Sequence, residues 1–165
     1  MEISTQRLVI RSFETSDLDD FAAIVADPEV MRYLGGVMTR AHTEHYLTRA
    51  MSIEKAAGFS RYAVSLRDGE LIGMCGFAPV EDYIDLGYRL ARRFWGQGYA
   101  SEAAARIVTL GFDAFDFEQI TGLAHPDNAG SINVLTKLGF QYQRDETTPR
   151  GLPAKRYQLN RSDSS

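Results

Sequence analysis

The residues that bear most directly on chemistry lie in the turn Arg93-Phe94-Trp95-Gly96-Gln97-Gly98, where two glycines one residue apart follow a strand pattern and precede a helical one. A strand, glycine turn and helix in that order have the physical parts of a phosphate site. The glycines let a backbone come close to an anion, and the first amides of the helix have no intrahelical acceptor and point outward. The helix dipole adds attraction. Side chains at positions 96 and 98 would block the approach or forbid the dihedrals, so glycine there has a chemical reason. The spacing alone also suits a turn that uses glycine only to reverse the chain. Two nucleotide motifs are excluded: a dinucleotide fingerprint needs a third glycine where Ser101 stands, and no Gly-Lys-Ser or Gly-Lys-Thr follows the glycines. The single cysteine, Cys75, sits in an apolar run and reads as a core thiol. His42, His45 and His125 are scattered without ligand spacing, so no metal site is expected.

The elements that position this turn follow from periodicity. Leu8 and Ile10 mark a short strand, and Thr15-Ser16-Asp17 offers cap chemistry for a helix carrying Leu18, Phe21, Ala22 and Val25. After Asp27-Pro28 a short helical piece with Val30, Met31 and Leu34 is expected to stop at Gly35-Gly36, and an amphipathic helix runs from about Thr39 to Ala57. From Arg61 to Phe77 the period becomes two, broken by the turn Arg67-Asp68-Gly69-Glu70, which predicts an antiparallel hairpin. A strand from Tyr83 to Leu90 delivers the chain into the glycine turn. Ala100, Ala103, Ala104, Ile107, Val108, Gly111, Phe112 and Phe115 then recur at helical spacing, with small residues near the start so that the helix can lie close to a sheet. Gln119 to His125 reads as a strand. Asn128 caps a short helix closed by Gly139, and Phe140, Tyr142, Tyr157 and Leu159 mark two last strands around a polar loop from Arg144 to Lys155. Residues 160–165 read as frayed.

A chain of 165 residues, 44% hydrophobic, is sized for one core, so a single domain over 1–165 with an ordered core of about 5–160 is expected. Eighteen basic against 22 acidic residues, with no basic block, argue against nucleic acid as primary partner and tolerate an amine-bearing substrate. The N-terminal residues lack the apolar stretch of a secretion signal, and no later run approaches the ~20 apolar residues of a membrane span. The cytoplasm is the simplest location.

Arg93-x-x-Gly96-x-Gly98 resembles the coenzyme A-binding signature of the GNAT (GCN5-related) N-acetyltransferase superfamily. The surrounding segments Asp85-Leu86-Gly87-Tyr88, Tyr99-Ala100-Ser101-Glu102-Ala103, Asn128-x-x-Ser131 and Lys137-Leu138-Gly139-Phe140 are similar to the branch that contains ribosomal-protein alanine N-acetyltransferases, as are Thr5 to Arg11 and Asp27 to Val30. The resemblance implies an α/β (α+β) fold with a mixed, mostly antiparallel sheet of six or seven strands, helices on both faces and a central splay for the cofactor. It implies acetyl-coenzyme A as cofactor. The backbone of Tyr88, Arg89 and Leu90 would pair with pantetheine, and Arg93, Trp95, Gly96, Gln97, Gly98, Tyr99 and Ala100 would form the pyrophosphate turn. Asn128 would contact pantetheine and Ser131 would lie near the thioester sulfur. Tyr33 and Gly35-Gly36 fall where the family places its acceptor-side loop.

Acetyl transfer needs an uncharged amine, and the leaving thiolate takes a proton. The family pattern makes Asp85 the first candidate base, against the alternative of a solvated or salt-bridged strand carboxylate. The tyrosine that many superfamily members place in the short helix is Leu135 here. Ser131 is then the candidate donor toward sulfur, or simply a first-turn serine, and Asn128 is a helix cap whatever its other role. Trp95 and Tyr99 either cover the cofactor or close the core, the core being favoured on residue type alone. The expected function is direct attack by a primary amine, on a protein N-terminus or a small molecule, within a ternary complex. The other class is a non-catalytic acyl-coenzyme A sensor or assembly module. The acceptor and the oligomeric state, homodimer included, are left open by the residues.

Overall fold

The computed structural model describes residues 1–163. Eight strands form one sheet: β1 (Glu2–Ser4), β2 (Leu8–Arg11), β3 (Arg61–Leu66), β4 (Leu71–Val80), β5 (Tyr83–Leu90), β6 (Gln119–Ala124), β7 (Gln141–Thr147) and β8 (Pro153–Asn160), in the spatial order β1-β2-β3-β4-β5-β6-β8-β7. Every neighbouring pair is antiparallel except β5 and β6. Helices α1 (Leu18–Val25) and α2 (Arg40–Ala57) pack on one face over Ala63, Leu71 and Met74. Helices α3 (Tyr99–Asp113) and α4 (Ala129–Lys137) join the core on the other face with Tyr62, Val64, Ile72 and Leu86. The alternation of Tyr62, Ala63 and Val64 between the two cores is the period-two pattern of the sequence made physical.

Helix α3 lies close to the sheet because its inner face is small where contact is tightest. Ala103 and Ala104 are fully buried, and a Cβ on Gly111 would stand 2.8 Å from the Phe77 ring. Ile107, also fully buried on that face, contributes about 1.5–3 kcal/mol of hydrophobic stabilisation. The helix ends at Asp113, so Phe115 belongs to an aromatic cluster with Phe59, Phe77 and Phe117 beyond it.

Four expectations change. The sheet has eight strands rather than six or seven, because β1 is too short for three residues to display a period. Residues 28–34 form turns and no helix: Pro28 cannot donate, and Gly35 and Gly36 at φ +98° and +91° break the chain before a ladder can propagate. The expected polar loop is largely strand, since β7 reaches Thr147 and β8 starts at Pro153. Strand β7 is an edge strand with an exposed surface, where ion pairs such as Arg156 with Glu146 and Lys155 with Asp145 replace apolar packing. Asn160 closes β8, and Arg161–Asp163 form a 3-10 turn that Arg161 ties to Asp116 and Glu118; Ser164 and Ser165 lie outside the described residues.

Candidate functional site

The parallel contact between β5 and β6 is two residues long, Asp85 with Thr121 and Leu86 with Gly122. Beyond it the strands diverge while β5 stays paired to β4 through Leu90. Ala91 donates its amide to Ile72 O, so by antiparallel alternation Arg89 and Gly87 also spend their backbone groups on β4, and Tyr88 and Leu90 present theirs to the gap. Leu90 O already accepts from Trp95 Nε1 at 2.9 Å. Of the three residues expected on this edge, Tyr88 therefore offers both backbone groups, Leu90 its amide, and Arg89 neither.

The gap opens into a cleft of about 1490 Å3 that reaches from the 29–38 segment to α4. At its lower end the glycine turn has the anticipated conformation, with Gly96 at φ +73° and Gly98 at φ +83°, both left-handed. Nothing lies within 4 Å of where a Gly96 Cβ would be. The first intrahelical bond of α3 runs from Glu102 N to Gly98 O, which leaves the amides of Tyr99, Ala100 and Ser101 without an intrahelical acceptor. Arg7 braces the turn from behind, donating to Gln97 O at 3.0 Å, pairing with Glu102 and lying over the Tyr99 ring.

Asp85, Tyr88, Arg89, Leu90, Trp95, Gly96, Gly98, Tyr99, Ala100, Asn128 and Ser131 all line this one cleft. Arg93 and Gln97 do not. Arg93 pairs with Glu70 beside a separate shallow depression, and the Gln97 amide folds back onto Arg93 O. Trp95 is 47% exposed, against the residue-type preference for the core, and Tyr99 is half-buried against Phe94.

Asp85 Oδ2 accepts from Arg61 Nη2 at 2.7 Å, both side chains being largely buried, while Oδ1 has no partner among the described residues. Arg61 lies over Gly87, where a Cβ would collide with its guanidinium. Burial pushes the Asp85 carboxyl up, and Arg61 pulls it back less strongly. On the opposite wall Asn128 caps α4 by accepting from Ser131 N at 3.2 Å. Tyr88 Oη donates to Ser131 O at 2.8 Å and stands 3.0 Å from Ser131 Oγ. Burial pushes the Tyr88 phenol well above its usual range, so it stays protonated as a donor. Leu135, at the family's tyrosine position, is a core residue filling the space over Gly122. Cys75 is buried, with its thiol pushed up to about 12.

Three features escaped the sequence reading: the Arg61 partner of Asp85, the Tyr88 hydroxyl at Ser131, and the Tyr33 ring, which stands 4.8 Å from the His125 ring and bridges the 29–38 segment to the end of β6. Only Gly87 hinted at the first, since a missing side chain on β5 makes room for a long one from a neighbouring strand.

The sequence pattern of the acetyltransferase (GNAT) domain matches residues 7–141. A Bacillus licheniformis protein known as the uncharacterised N-acetyltransferase p20 is 31% identical over 145 residues, covering 83% of this chain and 80% of p20. The crystal structure of a GNAT-family acetyltransferase from Bacillus anthracis superposes with a TM-score of 0.85 at 25% identity, covering 97% of this chain and 98% of that one. RimL, a ribosomal L7/L12 α-N-protein acetyltransferase solved with coenzyme A, has a TM-score of 0.85 at 17% identity, covering 97% and 98% of the two chains; that likeness is one of fold.

Proposed function

The chain belongs to the GNAT acetyltransferase family, and on that premise we propose that it transfers an acetyl group from acetyl-coenzyme A to a primary amine by direct attack within a ternary complex. One observation carries this reading: the free edge of β5 at Tyr88 and the free amides at the start of α3 face the same cleft. An extended pantetheine adds to the first as a strand would, and a pyrophosphate fits the second. The cleft exceeds the roughly 300–1000 Å3 of a single-ligand site, which suits two substrates at once. The coenzyme A in the RimL structure supports the same choice of donor.

Acetyl-coenzyme A supplies the thioester: the amine nitrogen bonds to the acetyl carbon, the carbon–sulfur bond breaks, and the proton lost from nitrogen is balanced by one gained at the thiolate. On the protein side, Asp85 Oδ1 accepts the amine proton, directly or through a water, while Arg61 holds Oδ2 and fixes the carboxylate. Ser131 Oγ, which stands 3.0 Å from Tyr88 Oη, turns its own hydroxyl hydrogen toward the departing sulfur, while the Tyr88 hydrogen is spent on Ser131 O. Asn128 sets the first turn of α4 and with it the position of Ser131.

The test is thiol release from acetyl-coenzyme A against a panel of amines, with initial rates at varied concentrations of both substrates. Intersecting patterns are expected, with a large loss on Asp85→Ala or Ser131→Ala at unchanged coenzyme A affinity. Parallel patterns with an isolable acetyl-enzyme would overturn direct attack.

A further inference from the structure

Arg89 faces the acceptor half of the cleft. Alternation along β5 puts its side chain on the same face as Asp85 and Gly87, toward α1 and α2 and away from the Tyr88 hydroxyl that meets α4. There it finds no acid among the described residues. Its Nη1 has only the thioether sulfurs of Met31 and Met38, at 3.5 and 3.8 Å, and its Nε is sealed from solvent without any acceptor. The Tyr46 ring lies 5.5 Å from the guanidinium, and the Tyr46 hydroxyl is likewise buried and unsatisfied. Among the described residues Arg89 makes no ion pair, whereas Arg61 beside it is neutralised by Asp85. Arg150, in the loop between β7 and β8, adds positive field to the same place.

A guanidinium cannot shed its charge, so one that is half-buried and unpaired costs stability unless something anionic returns the lost solvation. The chain carries an excess of acidic residues, yet six basic side chains and three acidic ones line this cleft. Arg89 stands on the other side of the β5 ladder from the helix of the glycine turn, away from the expected phosphates. We propose that Arg89 receives a carboxylate carried by the acceptor, so that the substrate of this enzyme is an amine bearing its own acid, with the Tyr46 hydroxyl as a second donor. This rests on the acetyl-transfer reading above and narrows its acceptor. A bidentate guanidinium–carboxylate contact would also hold the amine end toward Asp85 by its fixed geometry.

Matched acceptors test it on the full-length protein: L-amino acids against their α-carboxamides, β-alanine and γ-aminobutyrate against the corresponding alkylamines, and a tripeptide with Asp at its second position against one with Asn. The carboxylate member of at least one pair is expected to react with a kcat/KM about ten- to a hundredfold higher. The pair that shows it separates a small amino acid from an acidic peptide as the source of the carboxylate. Arg89→Met erases the preference by lowering the carboxylate member far more than its neutral partner, and melts no lower than wild type, because an unpaired, half-buried charge has been removed; Arg89→Lys keeps part of the preference. Equal rates within every pair, or equal losses for both members in Arg89→Met, would overturn the assignment. Glutarate, which has no amine to acetylate, supplies a readout independent of turnover: it should raise the melting temperature of wild type and not of Arg89→Met. If no amine is acetylated but glutarate still discriminates the two, acetyl transfer fails and the carboxylate site stands; no discrimination overturns the site itself.

Discussion

Substituting Gly98→Ala isolates the glycine turn from the rest of the fold. Gly98 sits at φ +83° as the N-cap of α3, and a Cβ there would meet only the end of the Arg7 side chain at 3.4 Å, which can give way. The cost to folding is therefore the left-handed conformation alone, about 1–2 kcal/mol, or a fall of about 2–8 °C in melting temperature for a chain this size. Gly58 provides the control, because it caps α2 at φ +85° with nothing within 4 Å and lies outside the cleft. Gly58→Ala should lose the same stability. Only Gly98→Ala should lose cofactor, because relaxing the left-handed residue tilts the amides of Tyr99, Ala100 and Ser101 away from their common focus. A charge-assisted hydrogen bond contributes about 1.5–3 kcal/mol, so losing one weakens coenzyme A by about ten- to a hundredfold. Calorimetric titration of coenzyme A into both variants measures this. Affinity unchanged within about threefold in Gly98→Ala, or equal weakening in Gly58→Ala, would refute the assignment of the pyrophosphate to this turn.

Asp85→Asn leaves Arg61 buried and unpaired, so a loss of about 3–5 kcal/mol in chemical denaturation is expected beside a kcat fall of about 10²–10⁴. The double variant Arg61→Met, Asp85→Leu should recover most of the stability and none of the activity; recovery of both would leave the pair a purely structural one. Tyr88→Phe removes the hydroxyl from Ser131 and should lower kcat about tenfold with little change in coenzyme A affinity, read from thiol release and calorimetry. Cys75 and Tyr62 are neutral in the fold, each pushed up to about 12, and ionise more readily once unfolded. Their contribution is intact below about pH 9, and stability should fall as pH rises from there toward about 12, as followed by denaturant midpoints; a flat profile across that window would contradict the burial of these groups.

Much of the fold was legible because its signals are local. The span of α2, the small inner face of α3 and the cap Asn128 each depend on residues a few positions apart, so each appears where the sequence places it. The elements misread were those whose stability comes from elsewhere. Strand β7 is held by its neighbour and by cross-strand ion pairs, and the turns at 28–34 are pinned by contacts such as Met38 N to Val25 O.

The sequence by itself determined the glycine turn, its left-handed residues and the helix that follows, because backbone sterics and capping are properties of adjacent residues. Only the tertiary structure decided what surrounds that turn. Where β5 and β6 part, which amides face the gap, that Arg61 clamps Asp85, that Tyr88 reaches Ser131 from another wall, and that Arg89 is half-buried without an acid all depend on strands far apart in the chain. Register and burial set those distances, and neither is a property of neighbouring residues.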